Sequence, residues 1–253
     1  MAIVSAAGEF VFLLVAGAVA GLVGTAGGIT SLVSYPALLA TGLTPLAAGV
    51  ANLVALVACW PGSVATSRRE LTGAGRWLAR SLPLAATASA AGSLLLLSTP
   101  PGVFARVVPI LLALGSVALL VQPVLTARLR PAATRSSPSA LPLVALVSVY
   151  SGYFGAGAGV LLLASVLLLV DDRLPEANAK KNMLNGASTA ASAAVLVAIG
   201  SVAWAAVLPL ATGMFAGSTA GPVVARRLPA VVVRWAVAGL GLLLAARLAW
   251  GTE

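Results

Sequence analysis

A glycine-rich string occurs twice in this chain, once in each half. It reads GLVGTAGG at residues 21–28 and GYFGAGAG at residues 152–159. Each copy lies between two apolar segments that are too short to cross a lipid bilayer comfortably. Paired glycine-broken segments at matching places in two halves of an apolar chain are typical of membrane transporters and their binding sites. The repeat therefore predicts two related halves, with a site where the breaks meet.

The composition agrees with a protein that has lipid as its solvent. Of its 253 residues, 60% are apolar and only 8% are charged, and the mean hydropathy is +1.06. Such a chain has too little polar surface to cover a water-soluble globule. The net charge of +9 comes from basic residues in short connections between apolar runs. This placement indicates topology signals, and we expect no nucleic-acid partner.

The residue types present exclude several kinds of site. The chain has no histidine and a single cysteine, Cys59, inside an apolar run. Without histidine or clustered cysteine, zinc, haem and iron-sulfur sites lack their ligands. We therefore expect no metal and no cofactor, and we interpret Cys59 as a small residue of the core. The missing histidine also disfavours a Ser-His hydrolase, whereas Ser-Lys chemistry stays compatible with the composition.

Segment length separates two kinds of apolar run, because a full crossing takes about 20 residues of helix. Runs near full length are 46–66, 79–98, 103–125, 182–199, 204–222 and 230–250. The short runs are 10–23, 29–40, 141–154 and 160–170, and they flank the two glycine strings. We predict an all-α polytopic integral membrane protein. Each half has one glycine-broken pair of short helices, crossing fully or re-entrant, and three long transmembrane helices.

Similarity beyond the glycines divides the chain into two repeats. With small gaps, Pro45 and Asn52 fall on Pro175 and Asn182, and other matches include Gly73 with Gly200, Trp77 with Trp204, Pro101 with Pro229 and Arg106 with Arg234. We therefore predict a first transmembrane repeat at 1–127, a cytoplasmic linker at 128–138 and a second repeat at 139–253.

Basic residues predict how the two repeats are oriented. Counting crossings puts most of them on one side, including Arg68, Arg130, Lys181 and Arg227, and the positive-inside rule makes that side cytoplasmic. The charged loop at 171–181 then lies inside, whereas its uncharged counterpart at 41–45 lies outside. Equivalent loops face opposite sides, which predicts inverted repeats with both termini outside.

Three stretches carry a resemblance to a known family. They are AGLVGTAGGITSLVSYPALLATGLTPLAAGVANLVAL, SGYFGAGAGVLLLASVLLL and AIGSVAWAAVLPLATGMFAGSTAGPVVARRLP. With them the chain resembles the sulfite exporter TauE/SafE family of bacterial membrane transporters over nearly its whole length. The resemblance implies transport of small anions such as sulfite, sulfoacetate or related sulfonates. The chain departs from the usual family pattern at Ala26 and Ala158, where a denser glycine run is typical.

The glycine strings supply the first candidate binding residues. Glycine lets the chain leave a helix without steric cost, and the helix that restarts points the positive end of its dipole at the break. An anion fits such a place, and the candidates are Thr25, Gly27, Gly28 and Thr30 in the first half and Gly155, Gly157 and Gly159 in the second. The alternative is that these glycines only permit close helix packing.

Asparagine side chains in the apolar runs supply the second set. Asn52 and Asn182 occupy corresponding places, and Asn185 lies one turn beyond Asn182. A carboxamide in lipid needs a partner, so these side chains are expected to face the protein interior. They bind substrate oxygens or join helices, and the sequence favours neither. We interpret Lys180 and Lys181 as cytoplasmic anchors at a helix end rather than anion ligands.

Together these patterns predict a secondary transporter of the bacterial inner membrane rather than an enzyme. It would move a small anion of the sulfite or sulfonate class by alternating access. No acidic residue lies in the middle of a long run, so no carboxylate proton relay is visible and outward flux down the membrane potential is expected. The alternatives are a non-transporting accessory membrane protein and a membrane-embedded enzyme. Besides lipid and substrate, a second copy in a homodimer is the one partner left open.

Overall fold

The computed structural model describes residues 6–65, 70–128, 140–170, 173–225 and 230–250. In these ranges the secondary structure is helical throughout. The helices are α1 (Ala6–Gly27), α2 (Thr30–Ala40), α3 (Pro45–Ala55), α4 (Trp60–Ala65), α5 (Gly75–Ser98), α6 (Pro101–Arg128), α7 (Ala140–Tyr153), α8 (Ala158–Leu169), α9 (Leu174–Ile199), α10 (Trp204–Ala225) and α11 (Ala230–Trp250), with a 3-10 turn at Leu56–Cys59. Side chains of residues 25–27, 63–65, 125–128, 221–225, 230 and 233 lie outside the description.

Five segments are long and apolar enough to cross a membrane in the ranges that the structure describes. They are Ala6–Gly24, Pro45–Gly62, Gly75–Ser98, Pro101–Val124 and Leu174–Ile199. Large apolar side chains such as Ile110, Leu146 and Leu243 are more than half exposed, which suits a surface covered by lipid. The predicted all-α polytopic membrane fold is confirmed.

The first predicted short segment is wrong in its length. The run at 10–23 belongs to α1, which has 22 residues and is long enough to span. Gly24 does not end this helix; the break comes at Gly28, whose φ is +70°. Because small residues from Ala6 onward tolerate helix, α1 also begins earlier than the apolar run. The other three short segments correspond to α2, α7 and α8, of 11, 14 and 12 residues.

The predicted span at 46–66 is interrupted rather than continuous. Thr44 caps α3 by accepting a hydrogen bond from the Ala47 amide at 3.4 Å, and Pro45 opens the helix. The α-helix then changes to the 3-10 turn at Leu56–Cys59 before α4. Pro61 explains the change, since proline has no amide hydrogen and its ring clashes with the carbonyl four residues earlier.

The helix α9 begins earlier than the predicted segment at 182–199. Its first residues are Leu174 and Pro175, and Glu176 lies in the first turn. Proline at a helix start and an acid near the positive dipole end both favour this boundary. As a consequence, Lys180 and Lys181 lie inside the helix instead of before it.

Helices of the two halves pack on one another in a reciprocal pattern. α1 contacts α10 and α7 contacts α5, while α2 contacts α11 and α8 contacts α6. Taking α3 and α4 as one element, the counterparts of α1, α2, α5 and α6 in the second half are α7, α8, α10 and α11. The α1–α10 contact then corresponds to the α7–α5 contact, and the α2–α11 contact to the α8–α6 contact.

The α1 and α10 helices run parallel. A Cβ built on Gly17 would overlap the Leu210 carbonyl, and one on Gly21 would overlap the Met214 carbonyl. A step of four residues along α1, about one turn, thus corresponds to a step of four residues in the same direction along α10. Backbones approach this closely only where one partner has no side chain.

Candidate functional site

A small cavity lies where the two glycine strings meet. Its volume is about 40 Å³, and since a water molecule needs at least about 10–15 Å³ of such space, it has room for roughly three waters. Six helices, namely α1, α2, α4, α7, α8 and α9, and the 3-10 turn contribute to it. Its wall consists of Gly24, Gly28, Thr30, Ser31, Leu56, Cys59, Trp60, Ser151, Gly155, Gly159, Lys181, Asn182, Asn185, Gly186 and Thr189.

The two chain breaks touch each other beside this cavity. A Cβ built on Gly159 would lie 2.7 Å from the Gly28 Cα and 2.8 Å from the Gly28 carbonyl oxygen. Gly28 also has φ +70°, a conformation that favours glycine. Only glycine therefore fits at this contact. Gly28 and Gly159 thus permit close packing of the helices, whether or not they also bind substrate.

The helices that restart after the breaks begin at the cavity. α2 starts at Thr30 and α8 at Ala158, and Thr30 and Gly159 belong to the wall. The first amides of a helix have no partner within it, and the helix dipole makes that end positive. Two positive helix ends thus border the same small space.

One face of α9 supplies the most polar part of the wall. Lys181, Asn185 and Thr189 are spaced by four residues, so they line one side of the helix, and Asn182 and Gly186 lie beside them. Trp60 packs against Gly186, where any Cβ would overlap the indole ring. Further along α9, the Ser192 hydroxyl lies 2.7 Å from that of Ser89 in α5.

The charge of the wall is positive. Lys181 is only 2% exposed, and the acidic residues that the structure describes, Glu9, Glu70 and Glu176, are absent from the wall. Hydroxyl and carboxamide groups of Ser31, Ser151, Asn185 and neighbours provide further hydrogen-bond donors. The arrangement is chemically suited to hold an anion and offers nothing to a cation beyond neutral oxygens.

Hydrogen bonds and aromatic packing hold the second break in place. The Tyr150 hydroxyl donates to the Ala156 carbonyl at 2.5 Å, and the Ser93 hydroxyl of α5 donates to the Gly152 carbonyl at 3.0 Å. Phe154 packs edge-on against Tyr35 with ring centroids 5.2 Å apart. Backbone carbonyls left free by the break are thereby satisfied inside the protein, as a membrane interior demands.

The structure brings many of the predicted site residues together and leaves others apart. Those on the cavity wall are Gly28, Thr30, Gly155, Gly159, Asn182 and Asn185. Gly157 lies outside the wall, with φ +77°, and packs against Gly115. The side chain of Thr25 and the surroundings of Gly27 lie outside the described residues, although both belong to α1.

Asn52 also lies off the wall. It is fully buried, and its side-chain oxygen accepts a hydrogen bond of 2.5 Å from the Ser34 hydroxyl. Its side-chain nitrogen has no hydrogen-bond partner among the described residues. The Ser34 contact joins α3 to α2, so of the two roles considered for Asn52 the geometry supports the joining of helices.

Sequence reasoning missed several wall residues. Lys181 is buried and does not form the exposed anchor that its charge suggested. Cys59 and Trp60 lie on the wall because the 3-10 turn brings them there. The four-residue spacing of Lys181, Asn185 and Thr189 was a usable signal, whereas nothing in the sequence marked Ser31 or Ser151. Arg68, Arg69, Asp171, Asp172, Arg226 and Arg227 lie outside the described residues.

Comparison with known proteins gives a consistent set of relatives. A family model described as "Sulfite exporter TauE/SafE" matches residues 10–248. A "Probable membrane transporter protein ORF9" from Sinorhizobium sp is 26% identical over 238 residues, which cover 94% of this chain and 91% of that protein. A "Probable membrane transporter protein" from Haemophilus influenzae is 27% identical over 210 residues, 83% of this chain and 82% of that protein. No solved structure matches the chain significantly.

Proposed function

Since the chain belongs to the sulfite exporter TauE/SafE family of membrane transporters, we propose that it exports small oxoanions of the sulfite or sulfonate class across the bacterial inner membrane. The substrate binds in the cavity between the two glycine breaks, and alternating access exposes that cavity to one side and then the other. The positive cavity wall, with its buried Lys181, is the observation that carries this proposal.

The chemistry of the wall supports an oxoanion as the substrate. An ammonium group, amides and hydroxyls donate hydrogen bonds, and charge-assisted bonds to oxyanions are roughly twice as strong as neutral ones. The positive ends of α2 and α8 add to the same field. A lipophilic or cationic solute would leave these donors buried without partners, which costs about 1–3 kcal/mol for each group.

The size of the cavity supports a small solute. A volume of about 40 Å³ suits an ion that replaces roughly three water molecules. Sulfite and methanesulfonate are of this size, whereas a sugar phosphate or a nucleotide is far larger. A substrate with a long tail would need an opening of the cavity beyond its present extent.

The directions of the helices support the inverted arrangement that alternating access requires. α1 lies parallel to α10, as the rising register of their contacts shows. Three connections separate α7 from α10, and if each reverses the chain, α7 runs opposite to α10. It then also runs opposite to α1, its counterpart in the first half. We infer that the halves are inverted repeats with both termini outside the cytoplasm.

Purified protein in liposomes tests the proposed function. Radiolabelled sulfite or methanesulfonate trapped inside is expected to leave in a saturable, protein-dependent way, and unlabelled sulfite should compete. Choline, a small cation, serves as the control solute and should stay inside. If correctly inserted protein moves no sulfite, sulfonate or related oxoanion above the rate of protein-free liposomes, the proposal is wrong.

A further inference from the structure

The cation at the cavity stands alone among the described groups. Lys181 lies two turns from the start of α9 at Leu174, about 10 Å along the helix axis. The ion pair that the structure shows on this helix joins Arg173 to Glu176 at 2.9 Å, and Arg173 is 71% exposed. In the part of the chain that the structure describes, no carboxylate is within ion-pair distance of Lys181.

A buried ammonium without a counter-charge is costly in a medium that excludes water. The cost is removed if a bound ligand brings the missing charge. Because the wall offers one positive side chain and no described acid, a single negative charge neutralises it. A second negative charge on the ligand would itself be buried without a full partner, and the same penalty would return.

We infer that Lys181 selects substrates by charge and that the site prefers singly charged oxoanions, such as hydrogen sulfite and sulfonates, over doubly charged ones such as sulfate. This inference rests on the proposed function. Asn185 and Thr189 extend the same helix face and orient the remaining oxygens, since their side chains line the cavity one and two turns beyond the lysine. Both donate hydrogen bonds without adding charge.

Methanesulfonate and sulfate form a matched pair of probes. They have nearly the same size and tetrahedral shape, and they differ by one negative charge. We expect wild-type protein in detergent to bind methanesulfonate at least about tenfold more tightly, as measured by thermal stabilisation across a titration. Equal affinity for the two ions, or tighter binding of sulfate, would overturn the inference without any variant being made.

Lys181→Gln tests the residue itself. A hydrogen bond to a charged group is worth about 1.5–3 kcal/mol, so its loss should weaken methanesulfonate binding by about ten- to a hundredfold. Without ligand, Lys181→Gln should melt at or above the wild-type temperature because an uncompensated buried charge is gone. A purely structural lysine would instead lower the melting temperature and leave the affinity of the folded fraction unchanged.

Arg173→Gln is the matched control. It removes a positive charge from the N-cap of the same helix, at an exposed position outside the wall, and we expect wild-type affinity and selectivity. If Lys181→Gln binds methanesulfonate as tightly as Arg173→Gln does, the inference fails while the proposed function stands. If wild-type protein transports no anion in liposomes, the proposed function fails and the inference fails with it.

Discussion

Polar residues of α9 divide into those that face the cavity and those that face other helices. Asn182 and Asn185 are on the cavity wall, while Ser188 donates to the Ala85 carbonyl of α5 at 3.4 Å. A polar side chain in a membrane interior needs such a partner. The neighbours that each side chain meets therefore separate binding from packing, which residue type alone cannot do.

Asn185→Ala should weaken anion binding moderately. Its carboxamide forms neutral hydrogen bonds, each worth about 0.5–1.5 kcal/mol, so the dissociation constant for methanesulfonate should rise about two- to tenfold. Asn178→Ala is the control, because Asn178 is on the same helix but not on the cavity wall. Thermal-shift titration of both variants checks this. Equal affinities of the two variants would remove Asn185 from the site.

Gly159→Ala should destabilise the protein through the contact between the breaks. The added Cβ would meet the Gly28 backbone at 2.7 Å, and overpacking of this kind costs about 1–3 kcal/mol. Gly239→Ala is the control, since nothing lies within 4 Å of a Cβ at that position of α11. Alanine there is neutral or stabilises the helix by up to about 1 kcal/mol. Melting curves in detergent that coincide for the two variants would contradict the close approach.

At the scale of elements, the sequence predicts which segments are helical better than where they end. Every helix in the described ranges overlaps one of the apolar runs in its central turns. The boundaries failed where polar residues extend a helix, as between Glu176 and Lys181 in α9, or where a proline interrupts one, as at Pro61. Lys181 was misinterpreted for this reason: the charged run at 171–181 has the composition of a loop, yet most of it is helix.

The repeat predicted that the two breaks meet, but which residues of distant helices touch could not be predicted. The repeated glycine strings indicate that two breaks exist, but only the packing shows that Gly28 and Gly159 touch. Likewise Gly157 and Asn52 matched the pattern of candidate residues, and their neighbours Gly115 and Ser34 give them other surroundings. Which residues form the site depends on contacts between segments far apart in the chain, and the local pattern of a single sequence does not reveal such contacts.

The contact between α5 and α9 offers a test of the arrangement of the halves. Because the Ser89 and Ser192 hydroxyls are 2.7 Å apart, cysteines at both positions should form a disulfide, whose geometry needs Cβ atoms about 3.5–4.5 Å apart. In a Cys59→Ala background, mild oxidation should protect Ser89→Cys/Ser192→Cys from maleimide labelling.

The control pair for this crosslink is Ser89→Cys/Thr212→Cys, in which Thr212 is exposed on α10. Its two thiols should stay available for labelling after the same oxidation. If both pairs oxidise at the same rate, or if neither does, the contact between Ser89 and Ser192 is contradicted.

At the scale of the whole molecule, the distribution of charge bears on how transport is driven. The described acidic residues, Glu9, Glu70 and Glu176, are all away from the cavity, and the described residues contain no group of three His, Cys, Asp or Glu side chains that could hold a metal ion. A coupled proton or sodium ion would need an acidic or oxygen-rich site close to the substrate. The wall has neutral oxygens but also the positive charge of Lys181, which repels a cation and attracts an anion.

Uncoupled transport of one negative charge makes a quantitative prediction. A monovalent anion gains about 2.3 kcal/mol per 100 mV on leaving an inside-negative compartment, which corresponds to an equilibrium gradient of about 50-fold. Liposomes that hold a potassium diffusion potential of that size should therefore lose methanesulfonate until it is about 50-fold more concentrated outside. Collapsing the potential should abolish the gradient, and an imposed proton or sodium gradient at zero potential should not restore it. A final distribution that follows either ion gradient and ignores the potential would require a coupling site, and the described cavity wall would then have to be supplemented by acidic groups from elsewhere in the chain.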